Sequence, residues 1–427
     1  HDAVSGCGWE LPAPASAPLA SGGRLRVLAG AVLESPRVSG RFAVELVAFI
    51  DAGLDSYLSY LRQPHHINHK SRTAPSAGNS WFWQFSCVWQ LYDGFETSVE
   101  ASVSSPSRYS MRIRCAIPHE ALYLQANWTS RSRVQLHFRL EAPQASPSLD
   151  VLLREQRMEH VPLAICSKPW YDVHDLVARF PHAITDWLWY HSVVVGVHRF
   201  YLYDTDGSLA TYLPGDMLKD GRVVYFPRFL AGKDSTFGRL NAQGWPYVAE
   251  NLVYDHCLYI NLGVSDWVSF VHGIDSFYFS PAEEGQLSLT LEEIRSLEPS
   301  TPLCGVSIRR CEFGGSSAST PPDPSAPLFS SFLLRRWDCV RDQRGPFQID
   351  EAVVAGDGSA LAAEGHRPVC RSPSGRSYVM PLERWRANHY EDAFKPRCGE
   401  ECATLDRGMA DLVRRFTARG IGPRNSS

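Results

Sequence analysis

The sequence predicts two folded parts of different class, a β-sandwich followed by an α/β domain with a mostly parallel sheet and flanking helices. Short segments that alternate apolar and polar residues fill the first third of the chain. Apolar strands then alternate with helical segments. Stretches containing Pro and Ser precede and separate the two parts. We therefore expect a linker rich in Pro, Ala and Ser at residues 1–23, the sandwich at 24–147 and the α/β domain at 148–427.

The composition is that of a folded protein of ordinary charge. The chain has 427 residues, of which 44% are hydrophobic and 21% charged, which suits two or three domains. Its net charge of −4 provides no basic field for nucleic acid or an anionic membrane. No run of about 18 apolar residues occurs. We expect no nucleic-acid partner, and membrane attachment only through an anchor that this sequence does not include.

Cysteines and glycosylation motifs indicate an oxidising compartment. Eleven cysteines are spread along the chain without the CxxC pairs of zinc sites, and sequons occur at Asn127 and Asn425. These features predict N-linked glycans, several disulfides and a secretory-pathway protein. Cys398 and Cys402 are expected in local or neighbouring bridges, and the odd count leaves at least one thiol unpaired or paired between chains. Because the chain starts at His1 rather than Met, we expect a luminal portion without its signal peptide or anchor.

The sandwich prediction rests on segments with a period of two residues, which is the period of a strand with one buried face. These segments are 24–28, 41–49, 80–89, 109–115 and 133–138. A disulfide between Cys87 and Cys115 would join two of the strands. Neighbouring strand residues point to opposite faces, so Trp81, Phe82, Trp83 and Trp89 cannot all face one core. Some of these rings could form a carbohydrate platform; the alternative is that both faces are buried.

The α/β prediction rests on apolar strands joined by helices. Strands are expected at 161–166, 198–203, 222–226 and 266–271, with helices at 184–195, 208–219 and from Pro246 to about 263. This order implies parallel strands with right-handed crossovers. Later segments are expected to complete the sheet before a C-terminal helix at 403–419. No glycine-rich phosphate loop is present in the sequence.

Acidic residues follow two of the predicted parallel strands. Asp204 and Asp206 come after the strand at 198–203, and Asp275 comes after the strand at 266–271. Ligands of open α/β sheets bind beyond the carboxyl ends of the strands. A carboxylate there can hold a divalent cation, which in turn can hold a diphosphate. The plainer interpretation is that Asp275 only ends a strand, since acidic residues are common in turns.

Several short motifs follow one another in a specific order along the second part. They are Cys166, Asp186-Trp187 with Tyr190-His191 and Gly196-Val197, Phe200 to Asp204, Asn251 with Asp255 to Tyr259, Trp267 with Phe270, Ile274-Asp275 and Phe277, and the late His366 and His389-Tyr390. Their order and spacing resemble the family 92 glycosyltransferases (the DUF23 group), most of all the plant β-1,4-galactan synthases. The resemblance covers about residues 24–395.

The resemblance implies a GT-A-like fold preceded by a carbohydrate-binding-like sandwich. It also implies a galactosyltransferase-like enzyme that moves a sugar, galactose by analogy, from a UDP-sugar to a polysaccharide or glycoprotein glycan, with inversion. The expected cofactor is Mn²⁺ on Asp275 with His389 and His366, since histidine suits Mn²⁺ beside a carboxylate. The expected location is the Golgi lumen, with secretion or the cell surface as the alternative.

The remaining roles follow from what inverting transfer requires. One general base must take the proton of the acceptor hydroxyl, and Asp255 and Asp266 are both candidates. Asp204 and Asp206 are the candidates for contacts with the nucleotide. A homodimer is compatible with the sequence.

One departure from the family pattern favours a second interpretation. The family carries Asp-x-Asp-Glu where this chain has Gly273-Ile274-Asp275-Ser276. The lost acids would weaken binding of nucleotide and metal. The alternative hypothesis is therefore a catalytically inactive relative, secreted or on the cell surface, with a glycan-binding or structural role.

Overall fold

The structure is a computed structural model of the chain. It describes residues 8–11, 15–18, 24–34, 42–51, 84–91, 95–104, 111–121, 135–141, 148–156, 158–230, 250–281, 286–297, 299–314, 327, 334–335, 350–364, 367–390 and 404–421. The chain divides into two compact units. Unit 1 consists of residues 1–160, 230–264 and 356–358, and unit 2 of residues 161–229, 265–355 and 359–427.

The elements are numbered in chain order. The strands are β1 (Gly8–Glu10), β2 (Ala15–Pro18), β3 (Arg24–Glu34), β4 (Phe42–Asp51), β5 (Phe85–Gln90), β6 (Glu96–Ser104), β7 (Met111–Ala116), β8 (Gln135–Glu141), β9 (Leu149–Gln156), β10 (Val161–Ser167), β11 (Arg199–Tyr203), β12 (Val223–Phe226), β13 (Ser265–Val271), β14 (Ser276–Phe279), β15 (Leu303–Gly314), β16 (Leu334–Arg335), β17 (Asp350–Ala355), β18 (Ala360–Glu364), β19 (Arg367–Cys370), β20 (Arg376–Val379), β21 (Arg386–His389) and β22 (Thr404–Leu405). The helices are α1 (Val173–Arg179), α2 (Ala183–Trp189), α3 (Gly215–Lys219), α4 (Glu250–Asn261), α5 (Leu287–Leu297) and α6 (Gly408–Ala418), with a π-helical turn at Tyr190–Val195 and a 3₁₀ turn at Ala210–Tyr212.

Unit 1 is a nine-stranded antiparallel sheet that nearly closes into a barrel. Its strand order is β1-β9-β8-β5-β6-β7-β4-β3-β2, and β1 also contacts β3 while β2 contacts β9. The predicted two-layer sandwich is therefore wrong. Period-two alternation shows that a strand has one buried face, but not whether that face meets a second sheet or the same sheet curled on itself. The predicted linker at 1–23 supplies β1 and β2, and the predicted boundary at 147/148 lies inside this unit.

Mostly aliphatic side chains form the core of this near-barrel, together with a few aromatic and sulfur-containing ones. Trp89 stacks on Phe138 with ring centroids 4.7 Å apart. The predicted Cys87–Cys115 disulfide is confirmed and ties β5 to β7, with 6.0 Å between the two Cα atoms. Of the four predicted platform rings, Trp89 is a buried core residue. Trp81, Phe82 and Trp83 lie outside the described residues, so for these three the carbohydrate platform stays a prediction.

Helix α4 belongs to unit 1, where it packs on β1, β3 and β4. The sequence predicted it as a crossover helix of the parallel sheet, between β12 and β13. A buried ion pair helps to explain its placement, because Asp255 of α4 receives a hydrogen bond from Arg112 of β7 at 2.5 Å. A buried arginine needs a carboxylate partner, and an apolar helix pattern does not reveal that requirement.

Unit 2 is built on a mixed sheet. Strands β12-β11-β10-β13 run parallel, but β17 is antiparallel to both β13 and β15. The described residues are mostly β and this sheet is mixed, so the prediction of a GT-A-like, mostly parallel α/β sheet is wrong. The reason is physical: strands buried on both faces are continuous apolar runs, and such runs have the same sequence pattern in either direction. β17 is buried at every residue, and its last four residues, 352–355, form such a run.

All seven cysteines that lie within the described residues are disulfide-bonded. Besides Cys87–Cys115 they include the pair Cys304–Cys370, and the remaining three are Cys166, Cys257 and Cys311. Cys398 and Cys402 lie outside the described residues. Oxidised cysteines at this frequency fit a secretory protein. Among the described residues, no helix is both long and apolar enough to cross a bilayer.

Candidate functional site at the carboxyl edge of the parallel strands

The parallel part of the unit 2 sheet contains a topological switch point. From β10 the chain continues to β11 and β12 on one side, and then returns to place β13 on the other side of β10. Ser167 is in register with Val271, so β10 and β13 end level with each other. In sheets of this kind, ligands bind in the crevice beyond the carboxyl ends of the two strands at the switch point. The segments that follow these strands are therefore the candidate site.

Asp275 lies in the turn that follows β13, and it contacts His389. Antiparallel pairing of β14 with β21 sets Ser276 opposite His389, and the N–H of Tyr390 donates to the carbonyl of Asp275 at 2.8 Å. This brings the His389 Nε2 within 3.2 Å of the Asp275 Oδ2, with both side chains buried. Burial alone would raise the pKa of Asp275, but the charges of His389 and Lys168 outweigh it and leave that pKa well below the usual value.

His389 also binds a second carboxylate on its other ring nitrogen. Parallel pairing of β15 with β21 sets Glu312 opposite His389, and the Nδ1–Oε2 distance is 2.7 Å. Arg310 holds the other oxygen of Glu312, with 2.7 Å between Nε and Oε1. Burial and Arg310 work against protonation of His389, but Asp275 and Glu312 raise its pKa to about 9. Burial would raise the pKa of Glu312, yet His389 and Arg310 lower it to about 2.

A third buried carboxyl group, that of Glu351 on β17, lies behind the turn. The Ser276 hydroxyl donates to its Oε1 at 3.1 Å, and its Oε2 has no hydrogen-bond partner among the described residues. Burial raises the pKa of Glu351 to about 7, against the opposing effects of Arg310 and His389.

Gly273 brings Lys168 and Asp275 together. A Cβ at position 273 would lie 2.7 Å from the Asp275 Oδ1, 3.2 Å from the Lys168 Cε and 3.6 Å from the Lys168 Nζ. The backbone also joins the two segments, because the N–H of Lys168 donates to the carbonyl of Val271 at 3.3 Å. Glycine is thus the residue that lets an ammonium group and a carboxylate converge over the turn.

Asp204 and Asp206 also lie at this edge, after β11, but their carboxylates hold loop backbone. Asp204 accepts hydrogen bonds from the N–H groups of Asp206, Gly207 and Leu209 and from the hydroxyl of Tyr225, at 2.6–3.1 Å. Asp206 accepts from the N–H groups of Asp172 and Ser208. Their predicted contact with a nucleotide stays a prediction.

The two predicted general bases are not among the residues that contact Asp275 and His389 in unit 2. Asp255 belongs to unit 1, paired with Arg112. Asp266 lies near the amino end of β13, five residue steps from the far end at Val271, or roughly 17 Å. His366, Asn127 and Asn425 lie outside the described residues.

The described residues do not fit the expected Mn²⁺ ion. Asp275 and His389 contact one another instead of converging on a shared point, and both nitrogens of the His389 ring face carboxylates. A metal-binding imidazole needs a nitrogen lone pair, which a doubly paired imidazolium lacks. No group of three or more candidate ligands occurs within the described part of the chain.

Sequence reasoning missed Lys168, Glu312 and Glu351. Glu351 is the second residue of β17 and Glu312 lies near the end of β15, and a charged residue beside buried apolar strand residues was the available signal. Lys168 follows β10 directly, at the strand end where ligands of parallel sheets bind.

Comparison with known proteins adds no further assignment. A scan against protein-family models found no match, and a search of the curated proteins found none. The resemblance drawn from the short motifs stays a prediction.

Proposed function

We propose that this chain is a glycosyltransferase that moves a sugar, galactose by its motif resemblance, from a UDP-sugar to a polysaccharide or an N-glycan. Function is argued from the site rather than from the fold, because one chemistry recurs on unrelated folds. The observation that carries the proposal is the placement of Asp275 beside Lys168 at the switch point. The proposal includes inversion at the anomeric carbon, residence in the Golgi lumen and membership of family 92.

The chemistry of this pair suits a sugar nucleotide. A carboxylate accepts hydrogen bonds from sugar hydroxyls, and charged acceptors form stronger hydrogen bonds than neutral ones. His389 keeps Asp275 ionised by pairing with its Oδ2. The Oδ1, on the side of Gly273 and Lys168, is the oxygen proposed to hold the sugar.

Hydrolysis or transfer of UDP-galactose by the purified protein tests the proposal. Asp275→Asn removes the negative charge at the switch point, and turnover should fall by about 10²–10³-fold, as when other charge-stabilising groups are removed. Asp216→Asn is the matched control, because it makes the same chemical change at an exposed residue of α3 in the same unit. Equal turnover in the two variants would contradict the proposal.

A second candidate is a glycan-binding protein without catalysis. It is favoured by the pairing of Asp275 with His389 and by the absence of a carboxylate at Gly273. Binding of oligosaccharides, with no effect of UDP-galactose on the melting temperature and no turnover, would select this candidate. A ligand at 100 times its Kd should add about 2.7 kcal/mol to the stability.

A further inference from the structure

A lysine side chain, that of Lys168, places a positive charge at the strand ends of the switch point. Lys168 is the first residue after β10, and the register between Ser167 and Val271 sets it level with the turn that follows β13. A Cβ at position 273 would lie within 3.6 Å of both the Lys168 Nζ and the Asp275 Oδ1. An ammonium group has three donors, so it can contact a carboxylate and a phosphate oxygen at the same time.

Two carboxylates around this point, those of Asp275 and Glu312, already have cationic partners. Asp275 is paired with His389 at 3.2 Å, and Glu312 is paired with both His389 and Arg310 at 2.7 Å. A divalent cation binds where negative charge is in excess, and these pairs remove that excess. The same arrangement leaves the approach to Lys168 favourable for an anion, because an ammonium group is a compact positive charge that binds phosphate well.

We propose that Lys168 binds the diphosphate of the nucleotide-sugar donor directly, so that the site operates without a divalent cation. This inference rests on the proposed function, since it assigns a role within the same site. In transfer, negative charge builds on the departing diphosphate, and the Lys168 ammonium group would stabilise that charge.

Calorimetric titration of the full chain with inorganic pyrophosphate, UDP and uridine, all in EDTA, tests the inference. Pyrophosphate and UDP should bind in EDTA, and Lys168→Ala should weaken both by about 10- to 100-fold, as expected for hydrogen bonds to a charged group. Affinity for uridine should not change, because uridine has no phosphate. Lys168→Arg should retain most of the affinity.

Lys219→Ala is the matched control, because Lys219 is an exposed lysine at the end of α3 in the same unit. It should bind pyrophosphate like the parent. Gly273→Ala gives a second variant that leaves the lysine in place. Its Cβ would lie 3.2 Å from the Lys168 Cε and 2.7 Å from the Asp275 Oδ1, and should separate the two groups and weaken pyrophosphate binding.

Either of two results would overturn the inference: pyrophosphate binding that requires added Mn²⁺, or equal binding by the parent and Lys168→Ala. Turnover of UDP-galactose shows whether the proposed function fails together with this inference or independently of it. Turnover that requires Mn²⁺ supports the transferase and overturns the role of Lys168. Pyrophosphate binding through Lys168, without any turnover, supports the anion site and overturns the transferase.

Discussion

Both units bury a carboxylate against a cation, and the two pairs differ in what surrounds them. In unit 1, Asp255 of α4 meets Arg112 inside the packing of a helix on a sheet, and the Arg112 guanidinium also lies 4.7 Å from the ring centre of Tyr259. In unit 2, Asp275 meets His389 in a turn just beyond a strand end, beside Lys168. Burial and pairing are thus common to both, and only the position relative to the strand ends marks the second as a candidate site.

The largest expected effect is the loss of stability when the unit 1 pair is broken. Asp255→Asn leaves the Arg112 charge buried without its carboxylate, which should cost about 3–5 kcal/mol. This loss is measured by urea unfolding that is monitored through hydrogen exchange of β7 and α4. The double variant Arg112→Met with Asp255→Leu removes both charges and should recover most of the stability.

The same experiment tests the earlier assignment of Asp255 as a general base. An Asp255→Asn protein that folds with parental stability but loses turnover would restore the catalytic role. It would also remove the contrast between the two pairs.

The next largest effect is on the pH dependence of unit 2. The pKa of His389 is raised to about 9, so its contribution to stability is complete below 6.5 and is lost as the pH rises through 9. The pKa of Glu351 is raised to about 7, so its contribution to stability is also lost as the pH rises, but this loss ends near pH 7. Between pH 7 and 9, hydrogen-exchange protection of β14 and β21 should therefore fall by at most about 3 kcal/mol.

His389→Gln should flatten this dependence, while protection of β7 in unit 1 should not change over the same range. The groups facing His389 are Asp275, Glu312, Arg310 and the ring of His272, whose centre lies 5.3 Å from that of His389. Lys168 and Glu351 are nearby. Glu312, whose pKa is lowered to about 2, loses its contribution only as the pH falls below 4.5 and so does not disturb this window. A decline of equal size in the hydrogen-exchange protection of β7 would show that the pH effect is global.

The smallest effect is expected at a surface pair of unit 1. Arg139 donates two hydrogen bonds to Glu96, at 2.8 and 3.0 Å, but both side chains are partly or fully solvated. Exposed pairs gain little because water and salt screen them. Glu96→Gln should leave the unfolding midpoint unchanged, and a loss comparable to that of Asp255→Asn would contradict the distinction between buried and exposed pairs.

The sequence was most informative where one local pattern decides the structure. Alternation located the strands β3, β4, β5, β7 and β8 but not β6, and the apolar runs located β10, β11 and β13. Asp275 was recognised because it follows a strand, and His389 was expected beside it. The Cys87–Cys115 bridge followed from two neighbouring segments of the same pattern.

What could not be predicted depends on pairing between distant segments. Glu312 reaches His389 only because β15 runs parallel to β21, and Arg112 reaches Asp255 only because α4 packs on unit 1. The direction of β17 is likewise set by its neighbours β13 and β15 and not by its own residues. Such contacts join residues far apart in the chain, so no local period or spacing records them.

The route of residues 230–264 has a consequence for how this protein is made. The chain enters unit 2 at residue 161, leaves it to place α4 on unit 1, and returns at residue 265. On the ribosome, β10, β11 and β12 therefore emerge before unit 1 has received its last helix. Domains generally fold as units and in order of synthesis. Here that order is interrupted, because the N-terminal unit cannot bury the Arg112 side chain against Asp255 until much of the next unit has been translated.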